Sequence, residues 1–244
     1  MKKSSHRQKL ETLLKKNPFE TLVDAIYTIV LHDIISYKYA NGDQIKEAAL
    51  AEDFGVSRTP VRAVVDRLVE QGFLTKAKNS VALVKTYTPV EREDLVAARL
   101  NLEPMAMSYA ARRITDSELG VLDEYMKKLS AACLAKDMVS AFECENTLHD
   151  YMIRCCHNSF IIKQYDVLKH YFYQSRMFFT ANNGFYEYYI QEHQLLVSVI
   201  KLRDADLAEA AMIRHLSVIK SADQPINSTN PKTFNQSLGE LMQK

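Results

Sequence analysis

Four side chains in the second half of this chain have the types and spacing of a metal-ligand set. Glu145 and His149 are four residues apart, so a helix would present them on one face. His193 and His215 lie equally far on either side of a helix break at 203–205, and an antiparallel hairpin places such residues at the same height. One carboxylate and three imidazoles in one layer match a divalent transition metal and leave room for water or a substrate oxygen. We expect zinc, with nickel or manganese as alternatives.

Other interpretations of these histidines remain open. A single histidine is more often a surface residue or a hydrogen-bonded core residue than a ligand, and regular helices create coincidences in the middle of a bundle. His170 also falls in the middle layer, and no role for it follows from its position.

The elements that must hold this layer are predicted to be antiparallel helices. From Val90 onward the strand patterns disappear and glycine becomes rare. The breaks recur at a regular pitch, which is typical of helices joined by short turns. The predicted helices are 90–113, 116–135, 138–156, 159–180, 185–203 and 205–222. The sequence thus predicts a helical domain at 90–222, followed by a polar tail at 223–244.

A second candidate site lies in residues 50–74, LAEDFGVSRTPVRAVVDRLVEQGFL, which predict helix, tight turn and helix. Gly55 falls where the first helix must end, Ser57 can cap the next helix, and Pro60 falls in that helix's first turn. The apolar positions of the second helix recur at helical spacing: Val61, Val64, Val65 and Leu68.

The outer face of the second helix is left with Arg58, Thr59 and Arg62 near its N-terminus. Arginine at that end of a helix can pair with DNA phosphates or guanine edges. An ordinary helical hairpin with solvated basic residues is the alternative. A helix at 19–37, an apolar Ile45 and a hairpin at 73–84 complete the order of a winged helix.

Composition places limits on the class of protein. The apolar fraction of 47% is enough for real cores, and the net charge of +1 divides into +4 for residues 1–88 and −3 for the remainder. There is no apolar run long enough to span a membrane and no signal peptide at the N-terminus, so we expect no membrane contact and a cytoplasmic location. Residues 1–17 are expected to be a flexible arm or a short amphipathic helix.

The cysteines are expected to be small buried hydrophobic residues. The spacing of Cys133, Cys144, Cys155 and Cys156 does not match a zinc ribbon, and the adjacent pair would make a poor disulfide. A reducing compartment suits this usage.

Residues 19–84 resemble the DNA-binding domain of the GntR family of bacterial transcription regulators, through the stretch at 50–74. The resemblance implies a winged helix-turn-helix at 18–85, in which Arg58 and Arg62 contact DNA, with Ser57 and Thr59 near the backbone. Two positions depart from the family. Ser80-Val81 stands where the wing tip commonly carries a basic residue and glycine, and Ala48 is basic in some members. Lys76 and Lys78 are candidates to compensate.

Residues 90–220 resemble the all-helical effector domain, called FCD, of the FadR-like branch of this family, joined through a linker at 86–89. A metal-binding subset of that branch implies that Glu145, His149, His193 and His215 are ligands. Arg99, in Arg-Leu-Asn-Leu-Glu, is similar to an arginine that points into the family's ligand cavity, where it could pair with a carboxylate. A surface or interdomain salt bridge is the alternative for Arg99. Tyr173 and Arg176 are further candidates to line this cavity, and packing is the alternative for the aromatic cluster at 171–173.

These features predict a mainly α protein with an N-terminal winged helix-turn-helix and a C-terminal antiparallel helical bundle. We expect a homodimer, acting as a repressor, that binds a palindromic site in double-stranded DNA and responds to a small organic acid at the metal site. Two other hypotheses are a metal-free bundle that binds a long acyl chain and a metalloenzyme. Against the enzyme, no further side chain stands out as a general base beside the ligands.

Overall fold

A computed structural model describes residues 5–17, 19–36, 38–76, 81–85, 87–180 and 186–221 of the chain. Within these residues the fold is mainly α, as predicted, with one small sheet. The N-terminal elements are α1 (Ser5–Lys16), α2 (Leu22–Ile35), β1 (Gln44–Lys46), α3 (Glu47–Phe54), α4 (Arg58–Glu70), β2 (Leu74–Lys76) and β3 (Val81–Val84). The C-terminal helices are α5 (Pro89–Arg113), α6 (Asp116–Leu134), α7 (Met138–Arg154), α8 (Ser159–Thr180), α9 (Tyr186–Lys201) and α10 (Ala205–Ser221).

Helices α3 and α4 form the predicted helix-turn-helix. Gly55 ends α3 with a left-handed backbone at φ +70°, which glycine adopts without a Cβ clash. Ser57 occupies the N-cap position of α4, but its side chain makes no capping hydrogen bond, contrary to expectation. The apolar face of α4 is buried as predicted, at Val61, Val64, Val65 and Leu68.

The three strands form one antiparallel sheet in the order β1-β3-β2. Ile45 pairs with Ala82, and Thr75 pairs with Leu83, so the central strand β3 receives hydrogen bonds on both sides. This is the winged-helix arrangement that the sequence order predicts. The wing tip at 77–80, and Lys78 with it, lies outside the described residues.

The N-terminal segment adopts the second of its two expected forms, a short helix, in place of a flexible arm. Helix α1 spans Ser5–Lys16 and packs against α2 and α3. Leu10 is buried in the same core as the winged helix, because the apolar positions of α1 face α2. The polar tail at 223–244 lies outside the described residues.

The C-terminal helices begin and end close to the predicted positions, because the capping signals are explicit. Thr88 and Glu91 form a capping box at α5, Thr115 and Glu118 form another at α6, and Asp137 caps α7. The six helices α5 to α10 enclose one apolar core, to which each of them contributes buried side chains. Within the described residues, no helix combines the length and apolarity needed to cross a membrane.

Helix α7 belongs to both halves of the molecule. Its first turns contribute Met138, Val139 and Phe142 to the core of the winged helix. The Phe142 ring meets Phe73 edge-on, with ring centroids 5.7 Å apart. The later turns of the same helix enter the core of the bundle, as Leu148 and Met152 do. A displacement of α7 would therefore move core residues of both domains.

Candidate functional site

Three histidines from three different helices meet in the centre of the bundle. His149 of α7, His193 of α9 and His215 of α10 each offer a nitrogen within 4.8 Å of the others. The ring centroids of His193 and His215 are 4.9 Å apart, so the two residues face each other across the hairpin of α9 and α10 as predicted. All three side chains are buried. The arrangement meets the geometric requirement for a shared ligand.

Two of these rings are oriented by hydrogen bonds at Nδ1. His149 Nδ1 lies 3.2 Å from Glu103 Oε2, and His193 Nδ1 lies 2.8 Å from the carbonyl oxygen of Tyr189. A carboxylate and a carbonyl can only accept, so each Nδ1 carries the proton. The Nε2 atoms of His149 and His193, which lie 3.4 Å apart, are then left with their lone pairs.

His215 has an acceptor near Nδ1, but not within hydrogen-bond distance. Its Nδ1 lies 3.9 Å from Glu192 Oε2, while the other oxygen of Glu192 accepts a 2.7 Å hydrogen bond from Arg214. His215 Nε2 is buried and has no hydrogen-bond partner in the described residues. Buried polar atoms normally have a bonding partner, so we expect a bound ligand to contact this nitrogen.

Burial favours the neutral form of two of these imidazoles. Burial lowers the pKa of His149 well below its usual value, and the positive charge of Arg176 lowers it further. Burial likewise lowers the pKa of His215. Neutral imidazoles are the form that binds metals, because a proton on Nε2 would occupy the lone pair.

Glu145 lies at the edge of the histidine cluster. Its Oε1 is 3.7 Å from His193 Nε2, and its buried Oε2 has no hydrogen-bond partner in the described residues. Burial raises the pKa of Glu145, but the neighbouring His193 and the charge of Arg176 outweigh it, so the net pKa is lowered. The carboxylate is thus available as an anionic donor beside the three imidazoles.

Next to the histidines lies a buried ion cluster that the sequence only partly indicated. Arg99 Nε donates to Glu103 Oε1 at 2.6 Å, and Arg176 donates to the same oxygen at 3.3 Å. All three side chains have no solvent exposure. Burial raises the pKa of Glu103, but the two arginines and His149 hold the net pKa well below its usual value. Arg99 is therefore an interior cation and not a surface or interdomain salt bridge.

The donor set fits a divalent metal on the chain's own geometry. Zinc–nitrogen bonds of about 2.0–2.1 Å at a tetrahedral angle separate two nitrogens by about 3.4 Å. That is the separation of the Nε2 atoms of His149 and His193. The unpartnered atoms His215 Nε2 and Glu145 Oε2 supply two further donors. Histidines whose Nδ1 atoms are held by acceptors are also the usual pattern around a bound metal.

The sequence indicated some of these partners poorly. Glu103 stands four residues after Arg99, and that spacing on a helix could have suggested an ion pair. Arg176, a candidate cavity residue, donates to Asn146 Oδ1 at 3.1 Å as well as to Glu103. The pairing of Glu192 with Arg214 could have been predicted. Glu192 directly precedes His193 and Arg214 directly precedes His215, so the hairpin that brings the histidines together brings Glu192 and Arg214 together as well.

A cleft of about 500 Å³ lies between the two halves of the molecule, close to the ion cluster. Its lining includes Tyr27 and Gln71 from the winged helix and Asn146, Asp150 and Tyr173 from the bundle. Tyr173 donates its hydroxyl to Asp150 at 3.2 Å. Tyr173 therefore faces the interdomain cleft, whereas Arg176 points into the ion cluster.

The second candidate site is the N-terminal end of α4. Ser57, Arg58 and Thr59 are exposed there, together with Arg62 one turn later. Arg62 Nε lies 3.3 Å from Glu47 Oε2, and Glu47 is buried at the start of α3. The carboxylate thus restrains an arginine whose side chain is still largely in solvent. Ala48 is exposed and offers no charge at this surface.

Comparison with known families matches both halves of the chain. Residues 22–84 match the model of the bacterial regulatory proteins of the gntR family, and residues 94–218 match the FCD domain. The first range holds the winged helix, and the second holds Arg99, Glu103 and the histidine cluster.

Individual proteins are similar along most of their length. The Uxu operon regulator of Haemophilus influenzae is 27% identical, over 88% of this chain and 89% of the regulator. The transcriptional repressor RspR of Escherichia coli is 24% identical, over 90% of this chain and 96% of the repressor. The solved structure of Escherichia coli McbR/YncC has the same fold, with a TM-score of 0.60 and 18% identity, over 92% of this chain and 99% of that one.

Proposed function

This chain belongs to the GntR family of bacterial regulatory proteins and carries an FCD domain, and we propose that it is a repressor whose DNA affinity is set by a small carboxylic acid bound at a metal site. Family membership makes it a transcription regulator of the GntR type with an effector-binding domain. The metal, the acid, the repression and the dimer are the proposed part.

The observation that carries the metal site is the contact between His149 and His193. Their Nε2 atoms lie 3.4 Å apart, and the acceptors at both Nδ1 atoms leave both Nε2 atoms with lone pairs. Two lone pairs at this distance in a buried site repel each other unless a proton or a metal ion lies between them. His215 and Glu145 would complete the ligand set, and the bound ion would supply a Lewis-acidic anchor for an oxygen of the effector.

Charge balance supports a carboxylic acid as the effector. The buried cations Arg99 and Arg176 lie close to two buried carboxylates, Glu103 and Glu145. The net charge of these four side chains is therefore near zero before a metal binds. A divalent ion would leave a surplus of positive charge, and unpaired buried charge is costly. A monocarboxylate would offset one of the two added charges, and a dicarboxylate would offset both. Metal and acid are thus expected to favour each other's binding.

Helix α7 offers a route from this layer to the DNA-facing surface. It carries Glu145 and His149 on one stretch, and its first turns hold Phe142 against Phe73, directly after α4. We infer that the acid changes DNA affinity by binding more tightly to one placement of the winged helix than to another. In a homodimer, two α4 helices would read the two halves of a palindromic site, through Arg58 and Arg62.

Metal analysis of protein purified without a histidine tag tests the site. We expect about one zinc, nickel or manganese ion per chain, lost in His149→Ala and in His193→Ala. His170→Ala is the matched control, because His170 lies in the same domain outside the cluster. A protein that holds no metal after incubation with zinc, and whose thermal unfolding zinc does not shift, would exclude the metal site.

A further inference from the structure

Helix α1 is fastened by its first turn to the helix-turn-helix. The two ring nitrogens of His6 each lie 2.7 Å from a carboxylate oxygen, one on Asp33 of α2 and the other on Asp53 of α3. The His6 ring also packs on Phe54, with ring centroids 5.0 Å apart. These contacts fix the start of α1 at the end of α3, directly before the turn that leads into α4.

This attachment lays Arg7 across the turn itself. Its Cδ, Nη1 and Cζ atoms lie 3.2–3.3 Å from the point where a Cβ on residue 55 would stand. Glycine at residue 55 is favoured by its φ of +70°, and a Cβ there would also have to displace the side chain of Arg7 by a few tenths of an ångström. The side chain of Arg7 is half-exposed, and its Nε lies 3.4 Å from Glu11 Oε1. An exposed ion pair at that distance holds an arginine weakly.

We propose that Arg7 contacts a DNA backbone phosphate beside the groove that α4 enters. The inference rests on the proposed DNA-binding function. A helix-turn-helix inserts the N-terminal end of its second helix into the major groove, so the turn before that helix runs close to the sugar-phosphate backbone. The side chain of Arg7 packs on Gly55 in that turn, and Gly55 lies three residues before the exposed Arg58. A half-exposed guanidinium there can make a charge-assisted, bidentate contact with a phosphate.

Such a contact would add affinity without reading sequence, because phosphates are the same at every base pair. It would make α1 a part of the DNA-binding surface of this chain, next to the winged helix. The partner is double-stranded DNA of any sequence, and the contribution depends on salt.

The test is the salt dependence of DNA binding by the full chain, measured by fluorescence anisotropy on a promoter fragment of its own gene and on a random duplex. Arg7→Gln is expected to reduce the slope of log affinity against log salt by about 0.9, and to weaken binding about five- to tenfold near 0.1 M salt on both duplexes. Lys15→Gln is the matched control, because it removes the same charge from the far end of α1, and it is expected to leave the slope unchanged. Arg7→Lys is expected to keep the slope.

Three results would overturn the proposal. The slope could be unchanged in Arg7→Gln, it could fall equally in Lys15→Gln, or it could fall in Arg7→Lys as much as in Arg7→Gln, which would indicate damage to packing on Gly55. Failure of the proposed function is a separate outcome, since the unaltered chain would then bind neither duplex in a salt-dependent way.

Discussion

Arg67 of α4 and Glu143 of α7 form an ion pair between the two halves of the molecule, with 3.5 Å between Nη2 and Oε1. Arg67 also bonds Asp24 and lies over the ring of Tyr27, at 3.5 Å from its centroid, so it is held firmly on the winged-helix side. Glu143 precedes Glu145 by two residues. The helix proposed to enter DNA and the helix that carries two proposed metal ligands are therefore in direct contact.

Glu143→Gln is expected to weaken the effect of metal on DNA affinity while leaving metal affinity unchanged. The pair is partly exposed, so its loss is expected to cost less than about 1 kcal/mol of unfolding free energy. DNA binding measured with and without zinc tests this. Glu124→Gln breaks an exposed pair with Lys127 on α6 and serves as the control. Equal zinc effects in all three proteins would show that this contact transmits nothing.

Glu103→Gln is expected to destabilise the fold by about 3–5 kcal/mol, because it leaves Arg99 and Arg176 buried without their shared carboxylate. Urea unfolding of the metal-free protein measures the loss. Glu103 also orients His149, so metal affinity is expected to fall about 10- to 100-fold. A variant with unaltered stability and unaltered zinc affinity would refute the role given to this cluster.

The buried thiols are expected to resist alkylation. Burial raises the pKa of Cys133 and of Cys155 to about 12, so at pH 8 only about one thiol in ten thousand is ionised. Iodoacetamide labelling followed by mass spectrometry should modify the partly exposed Cys144 first.

Because the folded pKa of these thiols lies above the ordinary value of 9.0, folding favours the neutral thiols, and the free energy of unfolding should fall as pH rises from about 9 through about 12. Labelling of Cys133 as fast as Cys144 at pH 8 would contradict the described packing.

Arg58→Ala and Arg62→Ala are expected to reduce binding to the promoter fragment more than binding to random DNA, because both arginines are proposed to reach base edges. A bidentate base contact contributes about 1–3 kcal/mol of discrimination, which corresponds to about 5- to 150-fold in relative affinity. Competition binding with the two duplexes gives the ratio. Lys127→Ala, on the exposed face of α6, controls for the loss of charge. An equal loss of affinity on both duplexes would show that these arginines contact phosphates and not base edges.

The sequence predicted those features that depend on local signals or on a single turn. Caps and periodicity located the helices of the bundle. One short turn brings His193 opposite His215, so counting residues from that turn was enough to pair them. The stop at Gly55 followed from the conformational freedom of glycine.

Contacts between helices far apart in sequence could not be predicted in this way. Glu103, His149 and Arg176 come from α5, α7 and α8, and their meeting depends on crossing angles and rotations that spacing does not encode. The same holds for α1, because only its packing on α2 and α3 decides between an arm and a helix. Local signals can also fail: serine is a favoured N-cap residue, yet the Ser57 side chain makes no capping hydrogen bond.

Control of DNA binding by a metal and a small acid at the histidine cluster is the main function proposed for this protein. Its most direct test is the affinity for the promoter fragment, measured by anisotropy in zinc-loaded and in chelator-treated protein across a panel of small mono- and dicarboxylic acids. We expect at least one acid to change the affinity of the zinc-loaded protein at least fivefold, and we expect the change to disappear after chelation and in His193→Ala. An acid that changes the affinity equally with and without metal, or in His193→Ala, would contradict it.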